Sequence, residues 1–458
     1  IAGASGGGKG SALMTFIKGD FLDHWINDPA NSMGMTICDP HTEDILLILS
    51  HLLDMEEQGI EIPWHRVKVV SFGELGAMHY PVAANLLHVP TGGNLDRVAR
   101  DTAETILSAY DSSNLSESSA KLTTAIQGLL HMKRKVSLLD IVRLFEYSEE
   151  GAKLRREAIQ GLTGKNDVIA TDWKKIDQEI LDMEKDKKVA AIQTRLSPLV
   201  AMKTMQRFFC REENFFSNIP QFFENGDLVL IDFKGADDEI FRLCTAWLAT
   251  QYFNDAQKRG TGKRPHLLVF DECQKFKADD AFFKILTENR KFNLGLILIT
   301  QAVEALDERL KSSIKTNAGF IISVRQNDGA KAMADLLGSP FEVEELKGLE
   351  KGREACLSSF DGKARLLLDY PAYQWQGQAT ERGSDEEEQA KARAEQKMLE
   401  LLARDHKPVE EADKEIQQFV YGSALTLVET AATNEDKPQP KMPAKKREVA
   451  KLKVVRKL

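Results

Sequence analysis

The sequence predicts an α/β fold with a mostly parallel sheet and an all-α segment inserted into it. In two separate parts of the chain, apolar stretches of strand length alternate with segments of helical periodicity. Parallel strands joined by helices are buried on both faces and produce this pattern. Between the two parts lies a long segment with helical periodicity and no candidate strand. A glycine-rich loop stands directly before the first predicted helix, as in folds that bind phosphate at a helix N-terminus.

The predicted strands are short apolar runs at 35–38, 67–72, 228–233, 266–270, 294–300, 319–324 and 364–368. The predicted helices lie at 11–25, 43–57, 95–110, 119–132, 137–147, 152–162, 171–199, 237–258, 280–291, 329–337 and 384–402. Ser137 followed by Asp140 is typical of a capped helix N-terminus. We therefore expect a sheet domain in two parts, an all-α insertion and a flexible C-terminal tail, helical and then disordered and basic. Their expected bounds are 1–93 and 212–375 for the sheet domain, 94–211 for the insertion and 376–458 for the tail.

Composition narrows the class of protein. The chain has 458 residues, 42% hydrophobic and 29% charged, which is ordinary for a globular protein of two or three domains. Its formal net charge of -9 excludes nucleic-acid binding by overall charge, so contact with DNA would need a local basic feature. The five scattered cysteines form no CxxC pair, so neither a disulfide framework nor a zinc site is expected. Free cysteines of this kind favour a reducing compartment. No apolar run reaches the length of a membrane span.

The strongest motif is Gly3-Ala-Ser-Gly-Gly-Gly8-Lys9-Gly10, which matches the phosphate-loop pattern G-x-x-x-x-G-K. Glycines let successive backbone N–H groups surround a phosphate, and Lys9 would reach the β and γ phosphates. Gly10 replaces the serine or threonine whose hydroxyl usually binds Mg²⁺, so water or Ser11 would take that position. The alternative is a glycine-rich linker that happens to contain a lysine. The residues expected to bind the nucleotide are Gly3, Ser5, Gly6, Gly7, Gly8, Lys9, Gly10 and Ser11.

A pair of acids follows the predicted strand 266–270. Asp271 would hold Mg²⁺ through its water shell, and Glu272 would polarise the water that attacks the γ-phosphate. The alternative interpretation is an acid pair that caps the next helix. At the end of strand 294–300, the amide of Gln301 would sense the γ-phosphate, or would simply cap a helix.

Two arginines are candidates for the finger that stabilises transition-state charge in a neighbouring subunit. Arg290 closes the predicted helix 280–291, where a basic residue also suits the helix dipole. Arg325 follows strand 319–324 and is the second candidate. Asp39, His41 and Asp232 follow other strands and would also face the cleft, where ligands of parallel sheets bind; for His41 an ordinary loop histidine is the simpler interpretation.

In their order along the chain these parts resemble the TraD/TraG coupling proteins of type IV secretion, within the HerA–FtsK group of DNA-pumping ATPases. The resemblance covers 3–369. It rests on the phosphate loop and on ICDPHTEDIL (37–46), VKVVSFGELGAMHYPVAANLL (67–87), LVLIDFKG (228–235), LLVFDECQKF (267–276), ENRKFNLGLILITQ (288–301) and NAGFIISVRQNDGAKAMADLLG (317–338). Some relatives also have glycine after the phosphate-loop lysine, so Gly10 is compatible with this group.

The resemblance implies a RecA-like motor domain that uses ATP and Mg²⁺, with the all-α segment facing the relaxosome, secretion-channel proteins or the substrate. It implies a homohexameric ring that passes DNA without sequence preference, at the cytoplasmic face of the inner membrane. It assigns the lysine, acid pair, finger and sensing glutamine to Lys9, Asp271, Glu272, Arg290 and Gln301. Because the chain starts at Ile1, directly before the loop, we expect the rest of that strand upstream, and the resemblance implies that a membrane anchor would lie there too.

The function predicted from the sequence is an ATP-driven DNA translocase, a conjugative coupling protein whose DNA is expected to be single-stranded. The alternatives are a HerA-type helicase, the type IV secretion ATPase that energises protein export, and a docking scaffold that binds nucleotide without hydrolysis, which Gly10 favours. The basic end of the chain is predicted either to bind DNA or acidic lipid or to act as a solubilising tail. Its basic residues are Lys445, Lys446, Arg447, Lys451, Lys453, Arg456 and Lys457.

Overall fold

The computed structural model describes most of the chain before residue 422. The described residues are 1–90, 92–108, 116–164, 166–181, 192, 194, 196–197, 200–275, 279–368, 374–375, 378–379 and 383–421. The predicted disordered end and its lysines therefore lie outside the described residues, as do part of the predicted helix 171–199 and the last two residues of the predicted helix 95–110.

The main sheet has five parallel strands in the order β2-β3-β1-β4-β5. A second sheet has the order β6-β7-β8 and is antiparallel. The strands are β1 Gly34–Asp39, β2 Val67–Ser71, β3 Leu228–Asp232, β4 His266–Phe270, β5 Leu294–Leu298, β6 Phe320–Ser323, β7 Glu354–Ser359 and β8 Gly362–Leu367. Two-residue strands at Gln374–Trp375 and Gln378–Ala379 form a small antiparallel pair. The predicted α/β class with a mostly parallel sheet is confirmed.

The first two residues of the chain join the two sheets. Ala2 pairs in parallel with Thr300 just after β5 and with Ser323 at the end of β6. Gly3 N donates to Thr300 O at 3.1 Å, and Val324 N donates to Ala2 O at 3.0 Å. The segment 1–2 thus serves as a strand between β5 and β6, directly before the glycine loop.

Helices connect the strands and cover the main sheet. Before β3 they are α1 Lys9–Phe16, α2 Leu22–Asn27, α3 Glu43–Glu57, α4 Glu74–Met78, α5 Leu95–Ser108, α6 Ser116–Leu130, α7 Leu138–Leu144, α8 Glu149–Leu162, α9 Asp167–Leu181, α10 Lys203–Phe209 and α11 Ile219–Asn225. After β3 they are α12 Asp238–Arg259, α13 Asp279–Glu288, α14 Glu308–Asn317, α15 Ala330–Leu337, α16 Val343–Gly348, α17 Asp385–Asp405 and α18 Val409–Ile416. Strands β1 to β4 of the main sheet are largely buried, which explains their continuous apolar runs, whereas β5 is buried at Leu294 and half-buried beyond it.

The described residues from α5 to α10 form helices and their connections. Ser137 and Asp140 form the predicted capping box at α7, with Ser137 N donating to Asp140 Oδ2 at 2.8 Å. Apolar residues of these helices, among them Leu144 and Trp173, are fully buried in the same apolar cluster as residues of the main sheet. This segment is therefore packed onto the rest of the fold by one apolar core.

Helix α17 confirms and extends the helix predicted at 384–402. It packs against α3 and β2, and the apolar side it buries includes Ala394, Met398 and Leu402. Arg404 donates to the main-chain oxygens of Trp64 at 2.7 Å and Val67 at 2.6 Å. The first part of the predicted tail is thus held on the sheet domain. Across the described ranges, no helix is long and apolar enough to span a membrane.

Candidate functional site

The glycine loop runs from segment 1–2 into α1 and lies against the end of β6. Gly6 and Gly8 have φ values of 61° and 109°, in the left-handed region that favours glycine. A Cβ on Gly3 would lie 2.1 Å from Val324 Cγ2, and one on Gly7 would lie 2.8 Å from Arg325 O. The loop therefore needs glycine at four positions for its conformation or its packing, which a flexible linker would not need.

Lys9 is the first residue of α1, and its side chain turns back over the loop. Its Nζ donates to Gly3 O at 3.0 Å and Ala4 O at 3.1 Å. Burial lowers the pKa of Lys9, while the charges of Asp271 and Glu272 act to raise it. The structure thus brings the loop lysine and the acid pair, far apart in sequence, into one electrostatic environment.

The acid pair follows β4 at the carboxyl edge of the sheet. Asp271 N donates to Cys38 O on β1 at 3.1 Å, and Asp271 Oδ1 accepts from Glu272 N at 2.9 Å. Burial and the neighbouring charge of Glu272 raise the pKa of Asp271. Glu272 has φ 50°, a left-handed conformation that is strained for a residue with a side chain and is concentrated at functional sites.

The side chain of Glu272 is held by three groups. Gln301 donates its amide to Oε1, His41 Nε2 lies 3.2 Å from Oε1, and Lys275 forms an ion pair with Oε2. Burial alone would raise the pKa of Glu272, but the bonds from Lys275 and His41 outweigh it and leave this pKa below its usual value. The carboxylate is therefore ionised at neutral pH. The sequence predicted Glu272 and Gln301 but not Lys275, whose position three residues after Glu272 was the available signal.

Asp39 organises the loop that carries His41. Its Oδ1 accepts from His41 N at 2.7 Å, and its Oδ2 accepts from Asp44 N at 2.9 Å and Ile45 N at 3.3 Å, at the start of α3. Burial, with the charge of neighbouring Asp271, raises the pKa of Asp39 to about 7 against the bond from His41 N. Asp39 thus positions His41.

Asp232 has a comparable structural role on the neighbouring strand. Its carboxylate accepts hydrogen bonds from Thr42 Oγ1, from Ser71 Oγ at 2.6 Å and from Lys234 N at 3.0 Å. Thr42 has φ 66°, so this bond stabilises a strained residue in the same loop as His41.

Gly10 lies beside a carboxyl group. A Cβ on Gly10 would lie 3.5 Å from Asp44 Oδ1, and burial together with the charges of Asp39 and Asp271 raises the pKa of Asp44 well above its usual value. Ser11 Oγ is buried and has no hydrogen-bond partner among the described residues. Within the described ranges, no group of three or more His, Cys, Asp or Glu side chains could hold a metal. A Mg²⁺ ion at this site would therefore take most ligands from phosphate and water, as Mg²⁺ usually does.

Arg290 and Arg325 are the two candidate fingers. Arg290 is in a 3₁₀ turn at Asn289–Phe292, which replaces the last turn of the predicted helix 280–291, and its side chain lies outside the described part of the chain. Arg325 has an exposed side chain, and its main-chain oxygen accepts from Ala4 N at 3.0 Å. A role for either arginine in a neighbouring subunit stays a prediction.

Comparison with known proteins tests the fold. No protein-family model matches the chain, and no curated protein matches its sequence. The structure resembles the unbound bacterial conjugative coupling protein TrwBdeltaN70 at 13% identity and TM-score 0.55, over 82% of this chain and 86% of that chain. It resembles plasmid coupling protein TrwB with ADP and Mg²⁺ at 14% identity and TM-score 0.52, over 82% and 86%. A third likeness is to TrwB with the non-hydrolysable ATP analogue ADPNP, at 13% identity and TM-score 0.53, over 83% and 86%. The RecA-like fold implied by the motifs is therefore confirmed, and it is the fold of the conjugative coupling protein TrwB.

Proposed function

We propose that this protein is an ATPase that drives DNA transport as a coupling protein of type IV secretion. The observation that carries the proposal is the convergence of Lys9, Asp271 and Glu272 at a loop built from required glycines. Phosphoryl transfer to water needs a cation, an ionised carboxylate and a loop that binds phosphate, and Lys9, Glu272 and the glycine loop are residues of these kinds. The solved TrwB structures with ADP and Mg²⁺ and with an ATP analogue support ATP and Mg²⁺ as the cofactors.

Each residue has a defined task in this proposal. The loop N–H groups and Lys9 bind the β and γ phosphates, which displace the ammonium group from the carbonyl oxygens that it now contacts. Bound Mg²⁺ would neutralise charge on the phosphate oxygens, with Asp271 holding its water shell. Glu272 accepts a hydrogen bond from the attacking water, and Gln301 orients that carboxylate.

The proposed assembly, DNA path and partners are those of the coupling proteins that the motifs resemble. The protein would assemble as a hexameric ring, with Arg290 completing the site of a neighbouring subunit. DNA, most simply single-stranded, would pass through the ring by sequence-independent phosphate contacts. The helices between α5 and α10 would face the relaxosome or secretion-channel proteins, with an anchor upstream holding the ring at the cytoplasmic face of the membrane.

ATPase assays with and without single-stranded DNA test the proposal. We expect Lys9→Ala to abolish nucleotide binding, and Glu272→Gln to bind ATP but lose at least about 100-fold in turnover, the usual effect of removing a general base. The exposed Glu410→Gln serves as a matched control. Wild-type turnover in Glu272→Gln would contradict the role of Glu272, and ATPase activity indifferent to DNA would contradict DNA transport.

Mixing two inactive variants tests the shared site. Lys9→Ala subunits still supply Arg290, and Arg290→Ala subunits still supply an intact phosphate loop. Mixed rings should therefore regain part of the activity at hybrid interfaces. If both variants assemble and their mixture stays inactive, Arg290 does not act between subunits.

A second candidate function is a docking scaffold that binds ATP without hydrolysis. It is favoured by Gly10, which supplies no hydroxyl for Mg²⁺. ATP binding that persists with no phosphate release, with or without DNA, would favour the scaffold over the motor.

A further inference from the structure

The turn between α16 and β7 lies directly on the glycine loop. A Cβ on Gly6 would lie 3.2 Å from Lys351 Nζ and 3.3 Å from its Cε. A Cβ on Gly8 would lie 2.8 Å from Gly352 Cα and 2.9 Å from Gly352 N, so the two main chains touch at this point. On the other side of the turn, a Cβ on Gly352 would lie 3.7 Å from the buried Ser11 Oγ. Three positions of the loop and of α1 thus contact one turn.

Main-chain hydrogen bonds hold this turn in place. Glu350 O accepts from Arg353 N at 3.1 Å and Glu354 N at 3.0 Å, and Leu368 N donates to Arg353 O at 2.7 Å. Leu349, at the start of the turn, is fully buried. The turn is therefore anchored to the second sheet, and its position against the loop is set by the fold.

Lys351 places a positive charge beside the loop, and no acidic side chain among the described residues pairs with it. Its side chain is exposed, and among the described residues it has neither an ion pair nor a hydrogen bond. A lysine ammonium is a strong point-charge binder of phosphate, and the ammonium of Lys351 lies beside Gly6 of the loop.

We propose that Lys351 is a second phosphate-binding cation of the same subunit, acting with Lys9 on the phosphate chain of the nucleotide. This inference rests on the proposed function, because it assumes that the loop binds a nucleoside polyphosphate. Lys9 contacts the loop at Gly3 O and Ala4 O, and Lys351 lies beside Gly6, so the two ammonium groups meet the loop at different points along it. The site therefore selects for nucleotides with two or three phosphates over monophosphates.

The test compares the affinity of the full-length chain for ADPNP, ADP and AMP by calorimetry in the presence of Mg²⁺. Lys351→Ala should weaken ADPNP binding about tenfold, or about 1.4 kcal/mol, and change AMP binding less than about twofold. Lys351→Arg should restore most of the affinity because it keeps the charge. The matched control is Lys347→Ala, an exposed lysine of α16 that pairs with Glu344 at 3.6 Å and should leave all three affinities unchanged.

The possible outcomes separate this inference from the proposed function. Unchanged ADPNP affinity in Lys351→Ala, with binding abolished in Lys9→Ala, overturns the role of Lys351 alone. An equal loss for ADPNP and AMP also overturns it, because it indicates a structural effect of the turn. Failure of the wild type to bind ADPNP or ADP overturns both the inference and the proposed function.

Discussion

Lowering the pH from 7 to 5 should destabilise this protein through one buried histidine. His266 begins β4 and is fully buried, with its ring against Phe223 and Tyr252 at centroid distances of 5.0 and 5.5 Å. Its Nε2 lies 2.8 Å from Thr36 Oγ1, and its Nδ1 has no partner among the described residues. Burial, with the positive charge of Arg259, lowers the pKa of His266 from 6.5 to about 3.

The sign and size of the effect follow from proton linkage. The unfolded chain takes up a proton at this histidine near its ordinary pKa, whereas the folded chain does so only near pH 3. Between these values the unfolded state binds more protons, so the free energy of unfolding falls as the pH falls. At pH 5 the cost to the folded state at His266 is about 2 kcal/mol, since one pKa unit corresponds to about 1.4 kcal/mol.

Urea unfolding at pH 7 and pH 5 measures this cost. Between the two pH values the wild type should lose about 2 kcal/mol more of its unfolding free energy than His266→Gln, which has no proton to take up. The exposed His24→Gln should behave as the wild type. Comparing variants across pH cancels the contributions of other buried histidines and any constant effect of the substitution. An equal loss in the wild type and His266→Gln would show that His266 does not cause the loss of stability at low pH.

Three further predictions concern the site and its support. His41→Ala removes a bond that lowers the pKa of Glu272, so the acid limb of the ATPase pH profile should move to higher pH. Gly10→Ser adds a hydroxyl where a Cβ makes only an ordinary contact, so less Mg²⁺ should be needed for half-maximal ATPase activity, with thermal stability unchanged. Leu402→Ala leaves a cavity where α17 packs on the sheet domain and should lower the unfolding free energy by about 2–5 kcal/mol in urea titrations.

The sequence indicated those parts of the site that local motifs define. Lys9, Asp271, Glu272 and Gln301 each follow a glycine loop or the end of an apolar strand, and a parallel sheet brings such ends to one edge. The contact between His41 and Glu272 depends on β1 lying beside β4. Strand order is set by tertiary packing and has no local sequence signal, so this contact was not predicted.

In the fold, too, features with a local sequence signal were predicted, whereas features set by tertiary packing were missed. The buried strands of the main sheet were predicted because both of their faces are apolar. Strand β7 was missed because its sequence, EACLSS, mixes polar and small residues and its burial is partial. The docking of α17 was missed because its sequence is rich in charge, and only its contacts with α3 and β2 show which side is buried.

The glycine loop is joined to both sheets of the fold. Ala2 pairs with Thr300 just after β5 and with Ser323 at the end of β6, and the loop that follows contacts Val324, just after β6, and Gly352 of the anchored turn. A phosphate that moves Lys9 away from Gly3 O and Ala4 O changes the loop at the point where both contacts are made. Because packed elements shift as units and deform little internally, we expect such a change to move the antiparallel sheet relative to the main sheet.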